Sequence, residues 1–561
     1  MFQSFRLSMT WLHTWFGLVL GYVLVVVFFF GALSVFDREI DRWAIPETRF
    51  APQPMPSFDK MLESTFRSIT KPDEDDLEAA KARVVGPIPE QLPLMDWSAY
   101  TTHRDPVLTL FASFHLPNAI DPEDHIHGHK TINPKTGVVL NENQLNIGSE
   151  FFYPMHYSLH WHWKDIGYWI VGMAALVMLA ALVSGVVMHR KIFRELFTFR
   201  PNKQTQRSTL DLHNLTGVVA LPFHFMFALS GLIIFAAIYL PVGTTVLKSQ
   251  ADAYEQAEAQ RTGLPHDPAG VPAKMASVDV MVAEAQRRWA ARGMAGEVGF
   301  LFVNHVDDAN ATVSIYRAGT DRVTLTGEGI HFSGTTGAVI LEEPPETVVG
   351  GITNFVTGLH LQHFRHWLLR WLYFIGGMAG AVCIATGFIF FVEKRKKQHA
   401  KQGVSGARWV DALAVTTVTG TVIAALSILV ANRLVPADLP ARATVEEGAF
   451  WISWLIALVH AAWRSAPVQQ ARMSPAWREQ CWAIVVLALS AVLLNWITTG
   501  DHLIATVSAG YWPVAGVDLT ILFGGAVALL AARRLKQREL GLRLDTAAQA
   551  DADEAPEGMR A

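Results

Sequence analysis

The feature that most limits how this chain can fold is a repeat of long apolar runs that open with histidine. A shift of 200 residues aligns matched dipeptides and glycines: Leu12-His13, Gly17 and Gly31 with Leu212-His213, Gly217 and Gly231; Thr136-Gly137 with Thr336-Gly337; and Leu159-His160 with Leu359-His360. Runs of about 20 apolar residues cross a bilayer as helices. The chain is therefore predicted to contain one histidine-bearing membrane unit twice.

Apolar composition supports a protein that crosses the lipid bilayer several times. Hydrophobic residues make up 51% of the 561 residues, and the mean hydropathy is +0.24. Eight apolar stretches are candidate spans, numbered here one to eight: near 10–36, 163–189, 213–240, 366–392, 409–431, 448–464, 479–497 and 513–532. We predict a mainly α membrane protein with about eight transmembrane helices.

The positions of basic residues predict the orientation in the membrane. Lysine and arginine cluster after spans two, four and eight, and such clusters favour the cytoplasmic side. Both termini are then cytoplasmic, and residues 37–155 and 241–356 lie outside. A net charge of −4 gives no basic surplus for nucleic acid. The two cysteines, Cys383 and Cys481, fall in predicted spans, so neither a disulfide framework nor covalent haem attachment is expected.

Each external region reads as a small α+β module. The predicted elements are a helix at Phe58–Ile69, a strand at Val107–Phe114 and a hairpin at 131–140 in the first module, and a helix at Val278–Arg292, strands at Ala311–Arg317 and Arg322–Thr326 and a hairpin at 331–341 in the second. A Thr-Gly turn followed by β-branched residues favours each hairpin. The predicted order is a first repeat at 1–198, a second at 199–398, four more helices at 399–537 and a disordered tail at 538–561.

Histidines inside membrane spans are costly and usually functional. His13 and His213 are related by the repeat, and each has a glycine one helical turn away, at Gly17 and Gly217. A small residue there leaves room for a flat macrocycle, although small residues also simply let helices pack closely. Two symmetry-related histidines at one depth favour metal or haem ligation over packing alone.

A second matched pair, His160 with His360, is predicted near the outer face. His363 lies about 60° round a helix from His360 and is an alternative ligand, while His156, His162 and His366 are interpreted as interfacial. His224 has Leu24 at its repeat position. It is open to interpretation as a mid-membrane ligand, a relay or a structural histidine.

The external segment His125-Ile-His-Gly-His129 carries imidazoles at alternate positions, which suits a divalent metal. The second copy lacks this motif, which favours a solvated loop. The sequence contains no phosphate-binding glycine loop and no Gly-x-Ser-x-Gly elbow. Nicotinamide or flavin chemistry is accordingly expected of a partner.

These motifs, in this order over roughly residues 1–398, resemble the PepSY-associated transmembrane helix proteins, and among them bacterial inner-membrane ferric-siderophore reductases. The resemblance implies two haem b groups, with His13 and His213 as axial ligands of a cytoplasmic-side haem. It implies His160 and His360, or His363 or His224 as substitutes, for an outer haem. It also implies two periplasmic PepSY-like modules, a ferric-siderophore substrate and a lipid-embedded core. The electron donor is left open between a cytoplasmic reductase and a quinol, and Arg190 or Arg365 are candidates to hold haem propionates.

Two other functions are compatible with the sequence. Imidazoles in a membrane also line metal or proton transport paths, although the matched histidines here cluster at two depths. Alternatively, the modules are sensors or protein-binding domains and the spans are anchors, which leaves the intramembrane histidines without a role. The haem reductase is the interpretation that gives a role both to the intramembrane histidines and to the external modules.

Overall fold

We describe the fold from a computed structural model of the chain. It describes residues 5–554 except 52, 54, 63–70, 122–123, 141–143, 190–198, 202–203, 251–252, 254–256, 258–260, 326–327, 345–346, 404–406 and 466–473. The helices are α1 (Phe5–Ser34), α2 (Asp37–Ala44), α3 (Phe58–Met61), α4 (Glu74–Ala80), α5 (Tyr153–Tyr157), α6 (Ile166–Met188), α7 (Thr205–Val219), α8 (Leu221–Ile234), α9 (Ala236–Tyr239), α10 (Val278–Ala291), α11 (Val348–Leu361), α12 (Trp367–Gln402), α13 (Ala407–Val415), α14 (Thr421–Leu434), α15 (Arg442–Arg464), α16 (Ala476–Thr499), α17 (Leu503–Ser508) and α18 (Trp512–Glu554).

The membrane helices confirm the predicted fold class. Within the described residues, seven segments are long and apolar enough to cross a bilayer, and a bent pair forms an eighth. Spans one, two and four are α1, α6 and α12; spans five to eight are α13 with α14, α15, α16 and α18. Span three consists of α7 and α8, which meet at a bend of 64°. Pro222, in the first turn of α8, lacks a backbone N–H and helps to explain the break.

Contacts divide the chain into two compact units. The helical unit contains residues 1–46, 143–228 and 372–561, and the sheet unit contains 47–142 and 229–371. In the helical unit, the additional spans pack on the first repeat through large buried aromatics, among them Phe30, Trp43 and Phe450. Since lipid is as apolar as these side chains, close packing is the main source of this stability.

The sheet unit joins both predicted modules in one eight-stranded antiparallel sheet. The strands are β1 (Leu94–Tyr100), β2 (Leu108–His115), β3 (His125–Ile132), β4 (Val139–Leu140), β5 (Val298–Asn304), β6 (Thr312–Arg317), β7 (Gly329–Ser333) and β8 (Val339–Glu342). Their order is β4-β3-β2-β1-β5-β6-β7-β8. The central β1–β5 pair places Ser98 opposite Phe302, with Trp97 opposite Val303 and Ala99 opposite Leu301. Equivalent strands therefore pair antiparallel about a local twofold axis.

The helices of the two modules cap one another, which extends this symmetry beyond the strands. Asp279 of α10 accepts a hydrogen bond from the backbone N–H of Phe58 at 2.8 Å and another from the Ser57 hydroxyl. Asp59 of α3 accepts the matching bonds from the backbone N–H of Val278 at 2.6 Å and from the Ser277 hydroxyl at 2.5 Å. Each module thus supplies the acceptor that satisfies the other's helix N-terminus.

Both predicted Thr-Gly hairpins are confirmed. Gly137 and Gly337 adopt φ of 69° and 74° in the turns that join β3 to β4 and β7 to β8. Such positive φ angles favour glycine because it carries no Cβ.

Several other local predictions are corrected. Residues 322–325 form bends and irregular backbone and no strand. The helix predicted at Phe58–Ile69 ends at Met61, and residues 63–69 lie outside the described part of the chain. Helix α18 continues to Glu554, and residues 555–561 of the predicted tail lie outside the described part of the chain. Residues 125–129, interpreted as a loop, belong to strand β3.

Candidate functional site

His13 of span one and His213 of span three lie together in the helical unit. Their ring centroids are 6.1 Å apart, and the ring planes are inclined by 78°. Two imidazoles that bind one metal from opposite sides, through bonds of about 2 Å, have ring centroids about 6 Å apart. The structure thus brings together the pair that the repeat predicts, at a spacing that fits one metal ion.

The second nitrogen of each ring is bound in the same way. The Nδ1–H of His13 donates to the carbonyl oxygen of Ala181 in span two at 2.9 Å, and that of His213 donates to the carbonyl oxygen of Cys383 in span four at 2.7 Å. A carbonyl only accepts hydrogen bonds, so Nδ1 carries the proton in each neutral ring and Nε2 keeps its lone pair. Metal-binding histidines commonly have such a partner on their second nitrogen.

Glycines on spans two and four admit these rings. A Cβ added at Gly185 would lie 3.3 Å from Cε1 of His13, and one added at Gly387 would lie 3.3 Å from Cε1 of His213. The predicted space beside the histidines is found at Gly17, where a Cβ would meet no atom within 4 Å. It is not found at Gly217, which faces the sulfur of Cys383 at 3.2 Å.

His156 occupies a third position of this kind and was missed as a candidate ligand. Its Nδ1–H donates to the carbonyl oxygen of Val27 in span one at 2.9 Å. Gly31 lies directly against the ring, because an added Cβ would be 2.6 Å from His156 Nδ1. The sequence did contain a signal, since Gly31 belongs to the matched face of span one, but its contact is not with His160.

His160 has a different environment from the one predicted. Leu159 and His160 have φ of 54°, so they form a left-handed turn before α6 and do not open the span. The Nε2–H of His160 donates to the carbonyl oxygen of Phe151 at 2.8 Å, and the ring stacks on the Phe151 ring at 4.5 Å. The structure therefore corrects the equivalence of His160 with His360.

His360 is the second-repeat histidine that resembles His156 in its surroundings. It lies in the last turn of α11, a separate helix before span four, and His363 follows that helix. Nδ1 of His360 and the Ser230 hydroxyl are 2.7 Å apart. A Cβ added at Gly231, the repeat partner of Gly31, would be 3.2 Å from His360 Cε1. His156 and His360 are thus matched by their glycine contacts.

His224 is a buried polar group in the helical unit. It is fully buried in α8, where neither ring nitrogen makes a well-formed hydrogen bond with the described residues and the backbone of Gly376 lies close to the ring. Its ring meets the edge of Phe28 at 5.4 Å, and a Cβ at Gly380 would lie 3.1 Å from Nε2. A buried donor or acceptor that lacks its hydrogen bond costs about 1–3 kcal/mol of stability. A ligand that bonds to the His224 ring would remove this cost.

Of the two arginines predicted to hold propionates, only Arg365 lies among the described residues. Arg365 belongs to the sheet unit, where its Nε donates to the carbonyl oxygen of His103 at 3.0 Å and its Nη2 pairs with Glu297 at 3.3 Å. Arg190 lies outside the described residues.

Substitution of Gly31 by alanine is expected to displace the His156 ring, and to reduce or shift the absorption of any haem that His156 would bind. The cause is steric, because the new Cβ would stand well inside contact distance of the imidazole. Gly516→Ala is the matched control, since a Cβ at this helical glycine meets no atom within 4 Å. Reduced-minus-oxidised spectra of the two purified variants make the comparison, and equal spectra would contradict the role of His156.

The family model described as the PepSY-associated TM region matches residues 10–394. The match includes both repeats and every histidine considered above, and it stops before span five. No curated protein matches the sequence.

Proposed function

The chain belongs to the PepSY-associated TM region family, and on this premise we propose that it is a haem-dependent electron-transfer protein. It would reside in a bacterial inner membrane and reduce a ferric siderophore in the periplasm, releasing Fe(II) for uptake. The observation that carries the proposal is the His13–His213 pair, with ring centroids 6.1 Å apart. The sheet unit, with its twofold arrangement of PepSY-like modules, would face the periplasm.

The residues of the chain have separate roles in this proposal. His13 and His213 would each offer Nε2, because the carbonyl oxygens of Ala181 and Cys383 fix the proton on Nδ1. Haem b, when bound, supplies a one-electron carrier with no covalent attachment to the chain. With both imidazoles bound to its iron, the haem would offer the substrate no free position, which favours outer-sphere reduction. His156, His360 and His224 are the remaining candidate ligands, and His156 takes the place of His160.

The substrate class is the one that the family resemblance implies, and the coordination chemistry of iron is consistent with it. Siderophores bind iron through hard donors, chiefly oxygen, which favour Fe(III) over Fe(II), so a one-electron reduction loosens the complex. By the positive-inside rule, the basic clusters after spans two and four favour a cytoplasmic position for those ends of the helices, and we expect electrons to enter the protein from that side. A cytoplasmic reductase and a membrane quinol remain the two candidate donors.

Spectroscopy of the purified protein tests this proposal first. A Soret band, with sharp α and β bands on addition of dithionite, is expected from six-coordinate haem b. The dithionite-reduced protein, freed of excess reductant, should then reoxidise when a ferric siderophore is added, and Fe(II) should appear in an equal number of electron equivalents. A folded but colourless protein would overturn the haem assignment. A red protein that reduces no ferric chelate would overturn the substrate assignment alone.

A further inference from the structure

Strand β3 presents a row of histidines on one exposed face of the sheet. His125, His127 and His129 alternate with the buried Ile126 and Gly128. Residues two apart on a strand point to the same side. The register of β2 with β3 places His115 directly opposite His125, so a fourth imidazole joins the same face. The second module lacks this row, and nothing in the proposed electron transfer uses it.

Two of these rings already have the spacing of ligands to a common ion. The centroids of His125 and His127 are 4.8 Å apart, with an angle of 75° between the ring planes. Two imidazoles bound to one tetrahedral ion through bonds of about 2 Å have centroids about 5 Å apart. This distance is shorter than the spacing of successive same-side residues along a strand, about 7 Å, so the two rings lean toward each other.

Asp76 orients one of the two rings. Its Oδ2 accepts a hydrogen bond from the backbone N–H of His127 at 2.8 Å and lies 3.3 Å from Nδ1 of the same residue. A carboxylate on Nδ1 leaves Nε2 as the ligand nitrogen and raises its basicity. Gly128 makes this arrangement possible, because a Cβ there would lie 1.9 Å from the carbonyl oxygen of Lys71, in the segment that leads to α4 and Asp76.

His129 is held in a different way and serves as an internal comparison. Its Nδ1–H donates to Asp73 at 2.7 Å, and its ring stacks on Phe111 at 6.3 Å. Burial raises the pKa of the Asp73 carboxyl, but hydrogen bonds from His129 outweigh burial and the pKa is lowered overall. These contacts fix the His129 ring in a structural role.

We propose that the exposed face of β3 binds one divalent first-row transition-metal ion through His125 and His127, with His115 as the third ligand. Imidazole is a suitable donor for zinc, copper, nickel and iron ions. Within the described residues no three histidine, cysteine or acidic side chains already converge on one point. The proposal therefore requires the His115 side chain to turn toward His125 and His127 when the ion binds. Water completes the coordination. This site is independent of haem and goes beyond the proposed function.

A zinc titration of the purified full-length protein tests the proposal. Zn²⁺ is added in competition with a chromogenic chelator, to wild type and to the His125→Ala/His127→Ala double variant. Wild type should bind one more tight equivalent than the double variant. Asp76→Asn should retain the site with affinity lowered about 10–100-fold, as expected when the partner of a ligating histidine is removed.

The matched control is His129→Ala, which removes an imidazole from the same strand and the same face. It should keep the tight equivalent, because His129 is bound to Asp73 and Phe111. Equal zinc binding by wild type and the double variant would overturn the proposal, as would an equal loss in His129→Ala. Monodisperse elution and an unchanged thermal midpoint identify the variants that are folded, and haem content is measured separately so that the two proposals fail independently.

Discussion

His13→Ala and His213→Ala are each expected to lose the same haem, about half of the total if the protein binds two. The ring centroids are 6.1 Å apart, so removal of either imidazole would leave the proposed haem iron with a single histidine of this pair. Haem-to-protein ratios from pyridine haemochrome spectra measure the loss. The residual reduced spectra of the two variants should superimpose.

His460→Ala is the control for this prediction. His460 also lies in a membrane helix, but its Nε2 is 3.1 Å from the Glu479 carboxylate in the additional spans, and it should retain full haem content. His213→Met is a second informative variant, because a Met/His pair holds haem at a higher reduction potential than two histidines. Loss of different haems in the two alanine variants would show that His13 and His213 do not share one iron.

The proximity of His13 and His213 could be predicted from the sequence because spans one and three match at a constant shift of 200 residues. His13 and His213 are 200 residues apart, and so are Gly31 and Gly231. His13 and Gly31 lie within the continuous helix α1, where spacing fixes the face on which a side chain lies. His213 in α7 and Gly231 in α8 lie on either side of the 64° bend, which changes the direction of the helix but leaves the number of residues between them the same. Sequence alignment alone was therefore sufficient for this part of the site.

The second set of histidines could not be predicted in this way because turns change the shift. His156 and His360, which share the glycine contact, are 204 residues apart, while the carbonyl partners Ala181 and Cys383 are 202 apart. The left-handed residues Leu159 and His160 consume chain length without extending a helix. A coincidence of two Leu-His dipeptides concealed this difference.

The pairing of β1 with β5 also could not be predicted from the sequence pattern. Each module contains one complete hairpin signal, but β1 and β5 pair with each other across roughly 200 residues of chain. Local propensity carries no information on such a distant partner, since a strand's pairing depends on tertiary packing. The capping residues Asp59 and Asp279 are 220 residues apart, so a search at the 200-residue shift does not pair them.

A buried polar cluster explains how the additional spans hold the first repeat, and it gives the second large prediction. Glu446 Oε1 accepts hydrogen bonds from Arg442 at 2.8 Å and from Asn432 at 3.0 Å, while its Oε2 has no partner among the described residues. Arg433 bonds to Asn432, donates to the carbonyl oxygen of Trp43 at 2.9 Å and lies 4.8 Å from the Trp43 ring. The cluster thus connects α14 and α15 to α2.

Glu446→Ala is expected to destabilise the helical unit by about 3–5 kcal/mol, because it leaves buried arginine charge without its carboxylate. Glu446→Gln should lose less, since the amide oxygen still accepts from Asn432 or Arg442. Glu539→Ala is the control, because it removes the partner of an ion pair near the surface, in which the Glu539 side chain is 37% and the Arg478 side chain 28% exposed. Exposed ion pairs contribute only about 0–1 kcal/mol to stability. Unfolding titrations with dodecyl sulfate in mixed micelles compare the three variants. If Glu446→Ala and Glu539→Ala unfold at the same fraction of dodecyl sulfate, the prediction is wrong. Water then reaches the cluster, and apolar packing around Phe30 and Phe450 alone holds the additional spans to α2.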